Sequence, residues 1–403
     1  MSCGHAHEVS SLLARTAALT TAFLTTVSLG ASAQSPPPPP QVDARLGNGV
    51  TLRSVDDAAS LNIRARIQTR ATLVTYAGDA REDTSEVLIR RARLVFQGNA
   101  AGPSFTYYLQ LSFANLDNEA DLRLPLRDAY VTWSGARDFN VRVGQMKVPF
   151  SRQRVVSSSA LQMVDRSIVV SELNLDRDVG VQVFSRNLLG VGRLGYALGL
   201  FGGEGRNRLG RAAGLLYTAR LETWPLGAFD DLVEGDQRRT PNVRLALGGN
   251  VAYNQNTNRP RSTIGTPYPA GDVDYRHAAV DLTLKWRGWS MASEVLFRHA
   301  ERPSRTGATS AATIDLSPRS GWGAYLQGGR MITARTEVTA RYSRLVPRSG
   351  ADPTFVKSEE LGAGLNYYLH GHDLKLQADY FSVTDPTLGR RTPQARVQLQ
   401  LFF

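Results

Sequence analysis

Arginine recurs at every second or fourth position in two early segments of the chain. Arg64, Arg66 and Arg70 share one phase of the first segment, and Arg91 and Arg93 share one phase of the second. A guanidinium group stays charged at ordinary pH and pairs with phosphate or carboxylate through two parallel hydrogen bonds. Arginines gathered on one surface therefore predict a place that attracts anions.

Other chemistry lacks the residues it needs. The sequence has no GxSxG, P-loop or CxxC motif, and its single cysteine is Cys3. His370 and His372 have a spacing that suits a metal, but no third ligand is nearby, so we predict a structural turn there. We expect no enzyme, no metal, no cofactor and no nucleic-acid partner.

The elements that position the arginines are predicted to be β-strands. From residue 61 onward, runs of about ten alternating polar and apolar residues are separated by turns, as in a transmembrane β-barrel. Sixteen runs are centred near Ile67, Leu94, Leu109, Val131, Val141, Val181, Leu198, Ala219, Leu247, Leu282, Val295, Leu326, Ala340, Leu365, Leu376 and Leu399. The predicted fold is all-β, a closed antiparallel barrel of sixteen strands.

The connections between these runs alternate in length. Residues 98–103, 134–138 and 287–288 are short, whereas residues 147–176 and 255–271 are long. Short periplasmic turns and long extracellular loops are typical of outer-membrane barrels. Residues 225–241 are the exception, a long connection on the short side. An even strand count places both termini in the periplasm.

The two ends of the chain agree with export to an outer membrane. Residues 1–33 have the apolar stretch and small-residue cleavage pattern of a signal peptide. Residues 34–58 are predicted to form a Pro-rich periplasmic segment, and residues 59–403 the barrel. The last run alternates up to Phe403, which we predict to be the signal read by the barrel-assembly machinery.

The interior of a sixteen-stranded barrel is an aqueous channel, lined here by the polar phase of each strand. Twelve basic residues have this phase: Arg64, Arg66, Arg70, Arg91, Arg93, Arg142, Arg220, Arg244, Lys285, Arg341, Lys375 and Arg396. Eight acidic residues share it: Asp128, Asp178, Glu222, Asp281, Glu294, Glu337, Glu360 and Asp379. The excess of basic residues, in a chain of net charge +11, predicts an interior that favours anions. The simpler interpretation is that an arginine-rich composition and an ordinary charged lumen account for the count.

Six segments resemble a known family, the phosphate-selective porin O and P family of Gram-negative outer membranes. They are residues 89–94, 126–130, 143–150, 157–158 with 165–167, 177–180, and 362–372. The resemblance implies a sixteen-stranded porin, usually trimeric, whose third long loop folds inward to narrow the pore. It also implies that Arg66, Arg90, Arg91 and Asp128 lie at or near the anion path. Strict alternation directs Arg90 toward lipid, so either it lies at the rim or a bulge turns it inward.

The third long loop corresponds to residues 147–176. Lys147, Arg152, Arg154 and Arg166 are expected to stand over the arginines of the wall, with Ser157 and Ser158 donating hydrogen bonds to a bound oxyanion. The alternative is a loop that simply packs on the wall through Val155, Val156, Leu161 and Met163. Phosphate-specific members of the family use lysine in this loop where the chain has Arg154, which leaves phosphate specificity open.

These observations predict an outer-membrane porin for passive diffusion of small anions, phosphate or other oxyanions among them. The alternatives are a general or sugar-admitting porin without a phosphate site and, from another class, a secreted soluble β-rich binding protein. The predicted partners are small anionic solutes, outer-membrane lipid, the barrel-assembly machinery and two further copies of the chain in a homotrimer.

Overall fold

The computed structural model describes residues 41–76, 81–117, 125–208, 214–268, 271–301, 318–385 and 389–403. The predicted signal peptide, residues 1–33, lies outside these ranges. The strands are β1 (Gln41–Arg45), β2 (Gly49–Arg53), β3 (Ser60–Val74), β4 (Thr84–Asn99), β5 (Phe105–Ser112), β6 (Leu126–Trp133), β7 (Asn140–Lys147), β8 (Arg177–Ser185), β9 (Leu194–Phe201), β10 (Leu216–Thr223), β11 (Arg244–Thr257), β12 (Val273–Trp286), β13 (Trp289–Glu301), β14 (Gly321–Met331), β15 (Thr336–Pro347), β16 (Ser358–His370), β17 (Leu374–Thr384) and β18 (Arg391–Phe402).

Strands β3 to β18 form a closed antiparallel barrel of sixteen strands. Each pairs with its neighbours in chain order, and β18 returns to β3, with partners running from Gln394 and Val74 to Phe402 and Arg66. Closure leaves no unpaired sheet edge, which a strand structure in lipid requires. The predicted fold is confirmed, and each of the sixteen predicted centres lies in a different strand.

Strands β1 and β2 form a hairpin outside the ring of sixteen. β2 pairs with the first residues of β3, Val50 with Ile63 and Arg53 with Ser60. Because β18 pairs with β3 from Arg66 onward, β2 continues the same edge of β3 where β18 ends.

The two rims of the barrel differ as predicted. One rim has short turns, such as the Arg287–Gly288 turn between β12 and β13, and we call it the turn end. The other carries the long connections, including residues 148–176 between β7 and β8, and we call it the loop end. Residues 224–243, between β10 and β11, are the long connection at the turn end, and we call them the connector.

Side chains alternate between an apolar outer face and a polar interior. Leu198, Leu221, Val251, Val280 and Phe297 point outward and are exposed, whereas the intervening positions are buried and mostly polar or charged. An exposed apolar surface that surrounds a barrel fits hydrocarbon, because scattered apolar residues on a soluble protein do not form such a band.

Residues 148–176 fold into the barrel, and we call them the inward loop. They contain two short helices, α1 (Arg152–Val155) and α2 (Ile168–Leu173), each begun by a serine whose hydroxyl accepts a backbone N–H bond. Helix α2 packs on β13, β14 and β15, and Leu173 lies in an apolar core with Leu296 and Tyr325. In the described ranges, no helix is long and apolar enough to cross a membrane.

Candidate functional site: a chain of basic chambers

The inward loop occupies one side of the interior and leaves three adjoining chambers on the other, against β2 to β10. Their volumes, from the loop end to the turn end, are about 210, 350 and 680 Å³. The loop-side and central chambers share Arg93, Lys147 and Arg177. The central and turn-side chambers share Tyr108, Tyr130 and Arg142. The chambers therefore follow one another along one wall.

The loop-side chamber is dominated by positive charge. Its lining consists of Arg90, Arg91, Arg93, Leu116, Asp117, Arg127, Lys147, Arg154, Ser158, Arg166, Asp176, Arg177 and Arg206. Nine of these residues are basic and two are acidic, so the lining carries a large positive excess. In a narrow cleft with low-dielectric walls, such an excess attracts anions and repels cations.

Two β-bulges bring additional arginines to this chamber. Between β3 and β4, Gln68 pairs with Arg91 and Thr69 with Ile89, which leaves Arg90 as the extra residue. Between β5 and β6, Gln110 pairs with Asp128 and Leu111 with Leu126, which leaves Arg127 as the extra residue. A bulge breaks the alternation of side chains, so Arg90 and Arg127 line the chamber beside their neighbours.

Some of the wall arginines are held by carboxylates that the sequence analysis did not include in the site. Asp117 accepts a bond of 2.7 Å from Nη2 of Arg93, and Asp165 accepts one of 3.1 Å from Nη2 of Arg91. Burial would raise the pKa of Asp165, but the positive charges of Arg91 and Arg90 outweigh it and hold that pKa below its ordinary value. Asp165 therefore stays ionised and fixes the inward loop to the arginine wall.

Other cations lack such partners. Nζ of Lys147 donates to the backbone carbonyl of Val155 at 2.8 Å, and Nε of Arg166 donates to that of Gln153 at 2.8 Å. Among the residues that the structure describes, neither cation has a carboxylate within 4.0 Å. Carbonyl oxygens orient both groups without forming an ion pair, which leaves the guanidinium of Arg166 available to attract a solute.

The two predicted serines lie between the loop and the wall. Ser158 accepts hydrogen bonds from Arg66 at 3.1 Å and from Arg93 at 3.4 Å, and Ser157 accepts one from Arg66 at 3.4 Å. The guanidinium of Arg66 is buried beneath the loop and lines none of the three chambers.

The passage from the central to the turn-side chamber is lined by stacked groups. The rings of Tyr108 and Tyr130 stack at 5.2 Å, and the guanidinium of Arg142 lies 4.4 Å from the Tyr130 ring and 5.1 Å from that of Phe184. Nε of Arg142 donates to Thr132 at 3.0 Å. Aromatic faces hold a cation without neutralising it, and Arg142 has no ion pair with any described residue.

The structure brings most of the predicted residues together. Those that line a chamber are Arg64, Arg90, Arg91, Arg93, Asp128, Arg142, Lys147, Arg154, Ser157, Ser158 and Arg166. Arg152 lies apart from them, buried against Asp281 at 2.8 Å and Glu222 at 3.1 Å. Asp128 is bound by Arg177 through two bonds of 2.9 and 3.0 Å, so it orients a cation instead of facing a solute alone.

Sequence reasoning missed Arg127, Arg177 and Arg206 as lining residues. The adjacent charged pairs Arg90–Arg91 and Arg127–Asp128, each inside a strand, were the available signal for a bulge. Arg206 follows β9 in a long connection, where alternation gives no information.

A closed sixteen-stranded barrel with an apolar outer face, a polar lumen and a loop folded into it defines the class of outer-membrane porins. Comparison with known proteins agrees. Residues 61–226 match the model of the family "Phosphate-selective porin O and P". The predicted family resemblance is confirmed over this part of the chain.

Solved structures of outer-membrane proteins share the fold at low identity. The outer membrane channel DcaP of Acinetobacter baumannii is 15% identical, with a TM-score of 0.56 over 87% of this chain and 99% of that one. An anion-selective porin from Comamonas acidovorans is 12% identical, with a TM-score of 0.55 over 86% and 100%. OmpT of Vibrio cholerae, an outer membrane protein in a trimer form, is 11% identical, with a TM-score of 0.52 over 86% and 100%.

Proposed function

We propose that this protein forms a water-filled, weakly anion-selective channel for passive diffusion of small anions across the outer membrane of a Gram-negative bacterium. The observation that carries the proposal is the loop-side chamber, with nine basic and two acidic lining residues. An anion at the loop end meets this excess first, and the same charges oppose a cation.

The charges continue along the path. Lys147 and Arg166 at the inward loop donate to carbonyls, and Arg142 between the lower chambers lies against aromatic rings. Several weak sites in series suit diffusion, because a solute must bind well enough to enter and weakly enough to leave.

The solute class is small anions, and phosphate or another oxyanion is one candidate within it. Arginine forks suit oxyanions, and Ser158 offers a hydroxyl beside them. Without a dedicated oxyanion site, the same chain is a general diffusion porin. Addition of phosphate to a channel carrying chloride separates the two: a phosphate site predicts saturable block of the chloride current, and its absence predicts none.

The sign of the selectivity is tested by single-channel recording of the purified protein in a planar bilayer with a KCl gradient. We expect a reversal potential that reports chloride more permeant than potassium. A reversal potential of the opposite sign, or one at zero, contradicts the proposal. Heat-modifiable migration on a gel and dependence on detergent for solubility separate this channel from a soluble β-rich protein.

We infer that three copies assemble through their outer faces. The support is the trimer form of the similar OmpT barrel and the family resemblance, which implies trimers. Crosslinking in detergent followed by unheated gel migration tests this assembly, and a purely monomeric species contradicts it.

A further inference from the structure

We propose that the connector, residues 224–243, is a plug that, together with the inward loop, closes the half of the lumen away from the chambers and that holds the inward loop beside the basic path. This inference rests on the proposed channel function and adds a determinant of its selectivity. The sequence shows only that this connection is unusually long for its side of the barrel, and its role follows from contacts across the barrel.

The middle of the connector lies inside the barrel against the inward loop. Glu234 is 7% exposed, and its backbone N–H donates to the carbonyl of Ala160 at 3.0 Å. Its carboxylate accepts bonds from the Gln162 backbone at 2.7 Å, from Gln153 at 2.9 Å and from Gln327 at 2.9 Å. Glu234 therefore joins the loop and the barrel wall at one carboxylate.

The connector is fixed from the turn end as well. Asp236 is fully buried and accepts a backbone bond from Gly288 at 2.7 Å, and Asp231 pairs with Lys285 at 3.0 Å. Gly235 has φ +79°, and a Cβ there would lie 2.9 Å from Oε1 of Glu337. The backbone thus approaches the opposite wall more closely than a larger residue allows.

Almost no space remains between connector and loop. The void lined by both segments, with Val156, Val233 and Tyr325 among its residues, has a volume of about 10 Å³. This is about the room needed for one water molecule, so no hydrated ion fits between the two segments.

The plugged half differs from the open half in the charges it leaves uncompensated. Glu234, Glu294 and Glu337 are buried and bound by amides, hydroxyls or backbone N–H groups. In the described ranges, none of the three has a basic partner within 4.0 Å. Without the connector, Glu294 and Glu337 would face Lys375, whose Nζ donates to the carbonyl of Leu161, and Lys285, whose partner Asp231 belongs to the connector. An opened path would then carry no excess of either sign, so the plug keeps ions on the path along the arginine wall.

The test compares wild type with a shortened connector, in which a short Gly-Ser turn replaces residues 227–240. Thr223 and Leu247 are directly paired, so β10 and β11 remain neighbours without the long connection. We expect the conductance to rise, since the space that the connector fills beside the inward loop opens, and the reversal potential to move toward zero. Unchanged conductance and reversal potential in a correctly folded barrel overturn the plug.

A second variant, Glu234→Gln, keeps the shape of the side chain and tests only the hydrogen bonds by which Glu234 joins the inward loop to the barrel wall. The glutamine amide has one acceptor oxygen, whereas the donors in the wild type bind two carboxylate oxygens. The inward loop is therefore held less firmly, and we expect larger fluctuations of the open-channel current in a barrel that still folds. The matched control is Asp230→Asn, an exposed carboxylate of the same connector, which should leave the current unchanged. If the shortened protein fails to assemble, quiet wild-type-like currents in Glu234→Gln overturn the proposal.

These outcomes are independent of the proposed anion preference. A wild-type channel that favours potassium contradicts the proposed function, while the conductance gain on shortening the connector still reports whether a plug was removed.

Discussion

Arg90 and Arg127 reach the loop-side chamber because each is the unpaired residue of a β-bulge. Strict alternation would place both on the lipid side, where an arginine at mid-membrane costs roughly 2–4 kcal/mol. The bulge replaces that cost with a position beside other arginines, where an anion lowers their mutual repulsion. Part of the charge density in this chamber is therefore a consequence of irregular pairing.

Replacing Arg127 with Gln tests this contribution. We expect the chloride-to-potassium permeability ratio to fall, by up to about fivefold, since one charge at contact distance in water contributes about 1 kcal/mol. The control Arg137→Gln removes an exposed arginine at the turn end and should leave the ratio unchanged. Equal reversal potentials for wild type and Arg127→Gln would remove Arg127 from the path.

Asp165 predicts a pH dependence with a definite sign. Its pKa in the folded protein lies below the ordinary value of about 3.9, because Arg91 and Arg90 outweigh the effect of burial. The unfolded chain therefore takes up the proton first on acidification. The stability that Asp165 contributes is complete above about pH 4 and is lost as the pH falls toward the pKa of the folded state.

We expect Asp165→Asn to lower the free energy of unfolding at pH 6 by about 2 kcal/mol, the worth of hydrogen bonds to a charged group. Urea unfolding of the refolded barrel in detergent micelles measures this loss, and the gap from wild type should narrow below about pH 4. Asp43→Asn, at an exposed carboxylate of β1, is the control. If the difference in the free energy of unfolding between wild type and Asp165→Asn stays constant with pH, the ionisation of Asp165 does not account for the difference.

At the scale of elements, the strands were predictable and the lumen segments were not. Sixteen alternating runs became sixteen strands because a barrel between lipid and water imposes the same two-residue period on each strand. Helices α1 and α2 contain four and six residues, too few to show a helical period. The entry of the connector into the barrel depends on Glu234 meeting Gln162, a contact across the lumen that no local pattern encodes.

The same limit applied to the candidate site. Strand phase predicted which cations line the wall, but it did not predict the carboxylates that bind them. Asp165 and Asp117 pair with Arg91 and Arg93 across loops of irregular structure. Arg152 carries the same charge as Arg154, yet it is buried against Asp281 and Glu222 and lines none of the three chambers.

Helix α2 anchors the inward loop through apolar contacts as well as charges. Leu173 is fully buried in the core that joins the loop to β13 and β14. Leu173→Ala should cost about 2–5 kcal/mol in the free energy of unfolding, as a large-to-small change in a packed core does. Urea unfolding measures the cost, with exposed Leu226→Ala as the control. A loss below about 0.5 kcal/mol would mean that this core does not hold the loop.

At the scale of the whole molecule, the barrel closes where β18 meets β3. The N–H of Phe403 donates to the carbonyl of Ala65 at 2.9 Å, and the N–H of Ala65 donates to the carbonyl of Phe403 at 2.7 Å. These bonds use the backbone, and the aromatic ring of Phe403 is exposed.

The variant Phe403→Ala separates closure of the barrel by backbone bonds from recognition of the aromatic ring during assembly. We expect the variant to refold in detergent as wild type does, because the backbone pairs remain, but to yield less heat-modifiable barrel in cells. Phe297→Ala, an outward aromatic on β13, is the control and should assemble normally. Equal yields for Phe403→Ala and wild type would rule out a role for the terminal ring in assembly.

The lengthwise division of the lumen has a consequence for how such a protein can evolve. In the proposed channel, residues on the β2–β10 side face the solute, while buried pairs beneath the inward loop, such as Arg341 with Glu360 and Arg396 with Asp379, maintain the shape of the molecule. Substitutions that retune what diffuses through can accumulate along one wall without disturbing the folding of the other. Descendants of one ancestral barrel can thus acquire new solute ranges at little cost in stability.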